Sequence, residues 1–529
     1  MEGARRFNRD VYFRLPAEVA DMKPDILSPD PRLGIAGAGA MGRGIAQIAA
    51  QAGIRVLLFD LAPGAAAKAQ EAIAATLAGL AAKGKLAPEA AEAAAARIEA
   101  AAGLESFADC QVVVEAIVEK LEAKRDLFRQ LEHIVGERCI LASNTSSLSV
   151  TEIAAALRRP GRVAGFHFFN PVPLMKVVEV VDALLTEPWA GDALTALARR
   201  LGHTPVRAKD TPGFIVNHAG RGYVTEALRL LGENVAEFHV IDAILRGAVG
   251  FRMGPFELLD LTGLDVSQPV MESIYRQYYE EPRYRPSALA AQRLAGGLLG
   301  RKSGRGFYAY EGGKPQAFAL PPVPSARPPR VWVSDARPEL AARVGALVDR
   351  LGGALGKSRS PQDGDLVVVT PLGEDASACV AREGLDPARS VALDALFGLD
   401  AHRTLMTTPL TSAAARDEAH GLFGADGVPV SVVRDSAGLV AQRVVAHIVN
   451  IGCDIAQQAI ASPEDIDRAV TLGLAYPKGP LALGDAVGAA TVLAILDNLQ
   501  ALAGDPRYRA SPWLRRRAQL GASLLTAER

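Results

Sequence analysis

The sequence predicts an α/β domain followed by an all-helical domain, then a worn second α/β segment and a second copy of the helical domain. Three observations predict this. Strand, glycine-rich turn, helix and second strand follow one another in a single run from Arg32 to Asp60. From Lys209 the texture changes to helical segments. A set of turn and packing residues then recurs without gaps 225 residues later: Asp210 with Asp435, Gly213 with Gly438, Ile241-Asp242 with Ile466-Asp467, and Gly254-Pro255 with Gly479-Pro480. Leu258, Asp260 and Gly263 likewise meet Leu483, Asp485 and Gly488, and ungapped agreement of this kind marks a duplicated domain.

The chain of 529 residues is too long for one core. Its expected division is a tail over 1–31, an α/β domain over 32–208, helices over 209–312, a proline-rich linker over 313–330, a degenerate α/β segment over 331–432 and a second helical domain over 433–529. Net charge is −1 with no basic block, so neither nucleic acid nor an anionic membrane has electrostatic support as a partner. Cys110, Cys139, Cys379 and Cys453 are scattered without C-x-x-C spacing, which fits a reducing cytoplasm and argues against disulfides and structural zinc; no metal is expected. The segment Met1–Pro31 lacks the apolar stretch of a signal peptide, and nothing later is apolar for long enough to span a bilayer.

The first domain opens with Leu33-Gly-Ile-Ala-Gly-Ala-Gly-Ala-Met-Gly42, a short strand running into G-x-G-x-x-G. Gly37 permits the tight turn, Gly39 lets the backbone approach a pyrophosphate, and Gly42 lets helix and strand pack closely. Ala40 and Met41 begin the helix whose free N–H groups face the anion. Asp60 ends the second strand, where a carboxylate bonds ribose hydroxyls and repels a 2′-phosphate. These features together indicate a Rossmann-type domain that binds NAD rather than NADP.

An alanine-rich helical stretch from Pro63 to about Gly103 is broken at Lys83-Gly-Lys85. It reads equally as a plain helical hairpin or as a basic clamp, centred on Lys83, for a phosphorylated ligand. Strand Gln111–Ile117, a helix from Glu119 to Val135 and strand Cys139–Ser143 follow. Asn144-Thr-Ser-Ser147 leaves that strand's carboxyl end, where open α/β sheets bind ligands. Ser146 there is either a hydrogen-bond donor to substrate or a helix cap, a part that Ser149 or Thr151 fills as well. The stretch Arg162–Pro171 sets His167 at the end of an apolar run, and Glu179 returns nearby on Lys176–Val180. A carboxylate on the far ring nitrogen would fix the imidazole's tautomer, the wiring of a general base; taken by itself the pair reads instead as a satisfied core histidine beside a surface glutamate, and only the motifs around it favour the base.

The repeat extends upstream in weaker form. Leu366–Thr370 is matched to the Val112 strand and Arg403–Pro409 to the His167 strand, which puts Thr408 where His167 stands. Val333-Ser-Asp-Ala-Arg337 occupies the place of the glycine loop, so the second half is expected to lack both the cofactor loop and the base.

Residues 32–310 resemble the L-3-hydroxyacyl-CoA dehydrogenase family. The resemblance rests on the Gly37 loop, Val114-Glu-Ala-Ile-Val-Glu119, Ala142-Ser-Asn-Thr-Ser-Ser-Leu148, His167-Phe-Phe-Asn-Pro171, Lys176-Val-Val-Glu179, Thr211-Pro-Gly-Phe-Ile-Val-Asn217, Met253–Asp260 and Gly304-Arg-Gly-Phe-Tyr308. It implies that His167 is the base and Glu179 its partner, with Ser146 and Asn217 bonding the substrate's 3-oxygen. It implies dinucleotide contacts from Glu119, Lys124, Asn144, Asn170 and Lys302, and coenzyme A contacts from Thr76 and Lys83. His218 departs from the family's arginine after Asn217; the second copy keeps Arg443 there. The expected reaction is oxidation of a (S)-3-hydroxyacyl-CoA thioester by NAD, in fatty-acid or phenylacetate-type aromatic-acid breakdown. The competing readings are a gulonate-type hydroxyacid dehydrogenase and a non-catalytic scaffold subunit. The family's helical domains pair between subunits; here the two copies are expected to pair within one chain, with further homo-oligomerisation open. Arg221, Arg229 and Arg252 are either surface charges or readers of a distal carboxylate on the acyl chain.

Overall fold

The structure is a computed structural model that describes residues 30–319 and 321–528. The tail expected over Met1–Pro31 therefore lies, but for its last two residues, outside the described residues. The chain divides into two compact units, one running to Thr145 and over Val150–Pro205, the other holding Ser146–Ser149 and everything from Val206.

In the first unit the strands are β1 (Arg32–Ala36), β2 (Arg55–Phe59), β3 (Ile98–Ala100), β4 (Val112–Glu115), β5 (Ile140–Ser143), β6 (Val163–Phe168) and β7 (Val177–Asp182), and β8 (Thr204–Lys209) carries the chain out of it. The helices are α1 (Ala40–Gln51), α2 (Ala65–Ala82), α3 (Pro88–Ala95), α4 (Leu121–Ile134), α5 (Val150–Ala154) and α6 (Pro188–Arg200). The sheet order is β3-β2-β1-β4-β5-β6-β7-β8, with β1 parallel to both β2 and β4. The order reverses at β1, the switch point where open α/β sheets take their ligands. Strands β4 and β5 are buried at every residue, as a parallel sheet covered by helices on both faces requires. One expectation fails here. The helical stretch does not reach Gly103, because α3 stops at Ala95 and Ile98–Ala100 pairs with Val56–Leu58. A three-residue edge strand has no periodicity to read; the exposed edge of β2 decides it.

The second unit begins with α7 (Val216–Ala219), α8 (Arg221–Gly232), α9 (Phe238–Ile244), α10 (Pro255–Thr262), α11 (Leu264–Gln277) and α12 (Ala288–Ala295), then a small hairpin of β9 (Tyr310–Glu311) and β10 (Lys314–Pro315). A second sheet follows in the order β11 (Val331–Val333), β12 (Leu366–Val369), β13 (Ser390–Leu393), β14 (Arg403–Thr407), β15 (Val430–Val433). Its helices are α13 (Pro338–Arg350), α14 (Ala376–Glu383) and α15 (Ala413–Phe423). The chain ends in α16 (Ala441–Gln457), α17 (Pro463–Leu474), α18 (Pro480–Val487), α19 (Ala489–Ala503) and α20 (Pro512–Leu520).

The second sheet is half of the first. Strands β11, β12 and β13 are parallel and β14 is antiparallel to β13, as β4, β5 and β6 are parallel and β7 is antiparallel to β6. Helices follow the first, second and fourth strands in both. Nothing among the described residues corresponds to β1–β3 or α1–α3. This corrects three matches made on local composition. Leu366–Thr370 takes the place of β5, not of the Val112 strand. Arg403–Pro409 takes the place of β7, and β14, α15 and β15 fall on β7, α6 and β8 at the same 225-residue offset. Val333–Arg337 follows the counterpart of β4 and replaces no glycine loop. Apolar strands of four residues resemble one another; only pairing and direction tell them apart.

The residues that recur at this offset are caps and bends. Gly213 and Gly438 have φ of +80° and +74°, each followed by a residue near +50° that turns the chain into α7 or α16. Asp242 accepts the N–H groups of Phe256 and Glu257 at the mouth of α10, and Asp467 those of Leu481 and Ala482 at the mouth of α18. A Cβ on Gly254 or Gly479 would lie 2.2 Å from that carboxylate's carbon. The two helical sets pack against each other along α8 and α16, where Gly222 lets Ile448 approach within 3.1 Å of its absent Cβ. Arg443 pairs with Glu226 at 2.5 Å and Glu233 at 2.7 Å, and the Tyr508 hydroxyl donates to Glu226 at 2.6 Å. Arg283 reciprocates on Asp454.

Candidate active site

The glycine loop after β1 is built for close approach. Gly37 has φ +110°, and a Cβ there would stand 2.4 Å from the Ala116 carbonyl oxygen. A Cβ on Gly42 would stand 1.8 Å from the Gly37 oxygen, whereas Gly39 faces open space. Gly39 begins α1, no side chain caps it, and no acidic residue lies in the first turn. The N–H groups of the Ala40–Met41 turn are thus left to an anion. Asp60, ending β2, accepts the Ala38 N–H at 2.8 Å and the Ala62 N–H at 2.9 Å, which places its carboxylate beside the loop. These residues fit a dinucleotide.

Further along the sheet, β6 and β7 set His167 opposite Glu179. His167 Nδ1 lies 2.6 Å from Glu179 Oε2, with both side chains buried. With Nδ1–H directed at the carboxylate, a neutral ring presents its lone pair at Nε2. The Phe169 ring packs against the imidazole at 4.4 Å, and the Asn144 side-chain oxygen accepts the Phe168 N–H at 2.9 Å. Asn170 follows, joined to Pro171 by a cis peptide bond.

Behind these lies a buried network that sequence reasoning missed. Glu115 accepts from Lys124 Nζ at 2.6 Å, Ser143 Oγ at 2.7 Å and the Ile117 N–H at 2.8 Å. Lys124 also reaches Glu119 at 3.1 Å, and Thr145 donates to Glu119 at 2.6 Å. Lys124 is thus buried and braces Glu119 from beneath. The one available signal was an acid closing the all-valine strand β4. Thr76 lines a cavity of about 840 Å³ together with Arg43, Gln47, Asn170, Lys176 and Arg200. Those three cations are scattered in sequence and carry no motif. Lys83 is exposed at the end of α2.

In the second unit the Asn217 amide donates to the Ser146 carbonyl at 3.4 Å, and Ser149 Oγ donates to Asp210 at 2.8 Å. Lys302 pairs with Asp265 at 2.5 Å. His218, where an arginine was expected, is wedged between the hydroxyls of Tyr284 at 2.7 Å and Tyr278 at 3.1 Å. Burial, helped by the charges of Arg221 and Arg283, lowers its pKa to about 3, so it is a neutral packing group.

The second sheet repeats the strand register of the His167–Glu179 pair with other residues. The Asp394 N–H donates to the Thr404 carbonyl at 3.0 Å, continuing the β13–β14 register, so Asp394 faces Thr404 as His167 faces Glu179. This corrects the placement of Thr408 at the His167 position. Gln442, offset by 225 from Asn217, donates to Asp394 at 3.0 Å and to the Pro371 carbonyl at 3.1 Å. Burial raises the Asp394 carboxyl to about 6. Gly373 is pressed so close to α19 that a Cβ would meet the Ile495 oxygen at 2.4 Å. Among the described residues no group of three or more His, Cys, Asp or Glu side chains is arranged to hold a metal ion.

Comparison with known proteins agrees with this layout. The family model described as 3-hydroxyacyl-CoA dehydrogenase, NAD binding domain, matches residues 32–211, and the corresponding C-terminal domain matches twice, over 213–310 and 438–525. The chain is 37% identical over 491 residues to a 3-hydroxyadipyl-CoA dehydrogenase of Escherichia coli (strain K12), covering 92% of this chain and 97% of that one. It is 43% identical over 279 residues to a probable 3-hydroxybutyryl-CoA dehydrogenase of Deinococcus radiodurans, which spans 53% of this chain and the whole of the relative. The crystal structure of 3-hydroxybutyryl-CoA dehydrogenase from Escherichia coli K12 superposes with a TM-score of 0.83 at 36% identity, covering 93% of this chain and 98% of the other.

Proposed function

Because the chain belongs to the 3-hydroxyacyl-CoA dehydrogenase family, and is therefore an NAD-dependent oxidoreductase acting on 3-hydroxyacyl-CoA thioesters, we propose that His167 is its general base and Glu179 the carboxylate that orients it. The observation that carries this reading is the buried 2.6 Å contact between His167 Nδ1 and Glu179. His167 Nε2 takes the proton of the substrate's 3-hydroxyl as the same carbon gives up hydride. Glu179 steadies the imidazolium that results. Ser146 and Asn217 hold the oxygen while it becomes a carbonyl. Bound NAD supplies the hydride acceptor; Gly37, Gly39, Ala40, Met41 and Gly42 would hold its pyrophosphate and Asp60 its ribose. Glu119, Asn144, Asn170 and Lys302 would make the remaining dinucleotide contacts, with Lys124 supporting Glu119. Thr76 and Lys83 would bind coenzyme A, and the cations around the Thr76 cavity suit a phosphorylated ligand.

The full-length similarity to a 3-hydroxyadipyl-CoA dehydrogenase favours (S)-3-hydroxy thioesters of a carboxylate-ended acyl chain, in cytoplasmic breakdown of aromatic acids of the phenylacetate type. The packing of α8 on α16 supports reading the second helical set as a stand-in for a partner subunit. The test is His167→Gln. Base catalysis by a positioned side chain contributes about 10²–10⁴ in rate, so kcat should fall by that order while NADH affinity is retained. Turnover near the wild-type rate would remove the base assignment.

A further inference from the structure

The helical domain holds a guanidinium without a counter-ion. Arg221 stands at the start of α8, one turn beyond Asn217, and its Nε donates to the Asn217 carbonyl at 2.9 Å. Its Nη1 is shut off from solvent and has no hydrogen-bond partner. Among the described residues no carboxylate forms an ion pair with it. Burial lowers its pKa to about 10, so the charge remains at neutral pH. The Tyr476 hydroxyl, within electrostatic reach of Arg221, is also buried and unpartnered.

The other two arginines raised by the sequence are different. Arg229 is neutralised by Glu233 and Asp505, and Arg252 is exposed. Nor does the helical fold demand a cation at this place, because the second copy has the buried Ala446 at the matching position. Arg221 is half-buried, but its Nη1 is closed off from water, and a closed-off guanidinium N–H without an acceptor is costly; together with the Tyr476 hydroxyl it is suited to an anionic acceptor. A carboxylate satisfies both, since it accepts several hydrogen bonds and cancels the charge.

We propose that Arg221 binds the distal carboxylate of the acyl chain, making the enzyme selective for carboxylate-ended thioesters. This rests on the reading that Asn217 holds the substrate's 3-oxygen. One helical turn advances about 5.4 Å, the span of a few methylene groups, so a short dicarboxylic chain anchored near Asn217 would bring its far end to Arg221. Tyr476 would add a hydrogen bond to the same carboxylate.

The experiment compares 3-hydroxyadipyl-CoA with 3-hydroxyhexanoyl-CoA, a chain of equal length without the carboxylate, on wild type, Arg221→Gln and Arg221→Lys. Arg221→Gln should lower kcat/KM for the dicarboxylic thioester by on the order of 10²-fold, as loss of a desolvated charge pair does, and change the hexanoyl value by less than about 3-fold. Arg221→Lys, which keeps the charge, should restore part of the loss. Equal losses on both thioesters would reduce Arg221 to a positioning residue for Asn217 and overturn the proposal. So would an unchanged ratio. Calorimetric binding of adipyl-CoA and hexanoyl-CoA reads the same selectivity without turnover. If wild type oxidised neither thioester but still bound adipyl-CoA through Arg221, the functional reading would fail while this one stood.

Discussion

Gly39 and Gly42 lie three residues apart and are glycines for opposite reasons. A methyl group on Gly42 would strike the Gly37 carbonyl, so Gly42→Ala must displace the loop or the helix. A methyl group on Gly39 meets nothing within 4 Å, and its φ of −69° suits any residue. Gly39→Ala should therefore fold with an unchanged melting temperature yet bind NADH more weakly, because the methyl occupies the room through which a pyrophosphate approaches. Gly42→Ala should lose both stability and binding. Thermal melts and NADH fluorescence titrations separate the two, and a Gly39→Ala protein that binds NADH as tightly as wild type would contradict the role given to the loop. At this scale the sequence was most legible, since spacing marked Gly37, Gly39 and Gly42, while His167 and Glu179 stood out from a core histidine and a surface glutamate only through the motifs around them. It could not tell Arg221 from Arg229, because Arg229 pairs with Asp505, 276 residues away, whereas Arg221 forms no ion pair among the described residues.

The recurrence at a 225-residue offset has its explanation in helix and strand ends. Asp242 and Asp467 recur because each caps a helix, and Gly254 and Gly479 because the caps leave no room for a side chain. Residues outside such ends diverged. Where the first half has His167, Glu179 and Asn217, the second has Asp394, Thr404 and Gln442. Asp394 is a cost that remains. Its carboxyl is raised from 3.8 to about 6, so the folded state holds the proton more tightly and stability is lost as pH rises through about 6. Asp394→Asn should therefore gain stability relative to wild type as pH goes from 5 to 8, with NADH formation unchanged. Urea unfolding at both pH values checks this; a constant difference would show that Asp394 does not titrate in the fold. Between α8 and α16, Arg443→Met should cost about 3–5 kcal/mol, because it strips a partner from the buried Glu226. The sequence showed that a second α/β segment existed and that it lacked the glycine loop. It misassigned the strands, because short valine-rich segments look alike until their pairing is known.

Across the molecule, buried histidines and buried carboxylates pull the response to acid in opposite directions. His218 and His447 are both lowered to about 3 by burial, so each is neutral in the fold while the unfolded chain takes a proton near 6.5. Their contribution is present above about 6.5 and lost as pH falls toward 3. Glu226, held below its usual range by Arg443 and Arg507 against its own burial, acts with the same sign below 4.5. Asp242 and Asp394, raised by burial to about 7 and about 6, act with the opposite sign over the same interval, so the histidine contribution is read by difference: wild type should lose stability relative to His218→Gln between pH 7 and pH 4.5 in urea unfolding, and a constant difference would show that His218 takes no part. Removal of everything after Pro329 should strip α16, whose residues are almost all buried, from α8. Light scattering should then find a dimer or aggregate, and a soluble, active monomer would show that the second half is dispensable.

The sequence by itself determined the glycine loop, His167 and Glu179 as a candidate pair, and the duplication, because each depends on residue type at fixed short spacing or on an unbroken offset. Only the tertiary structure decided which strands the second half had kept, that Asp394 stands at the position of His167, and that Arg221 forms no ion pair among the described residues. Those depend on which distant segments meet, and contact between distant segments leaves no trace in local spacing.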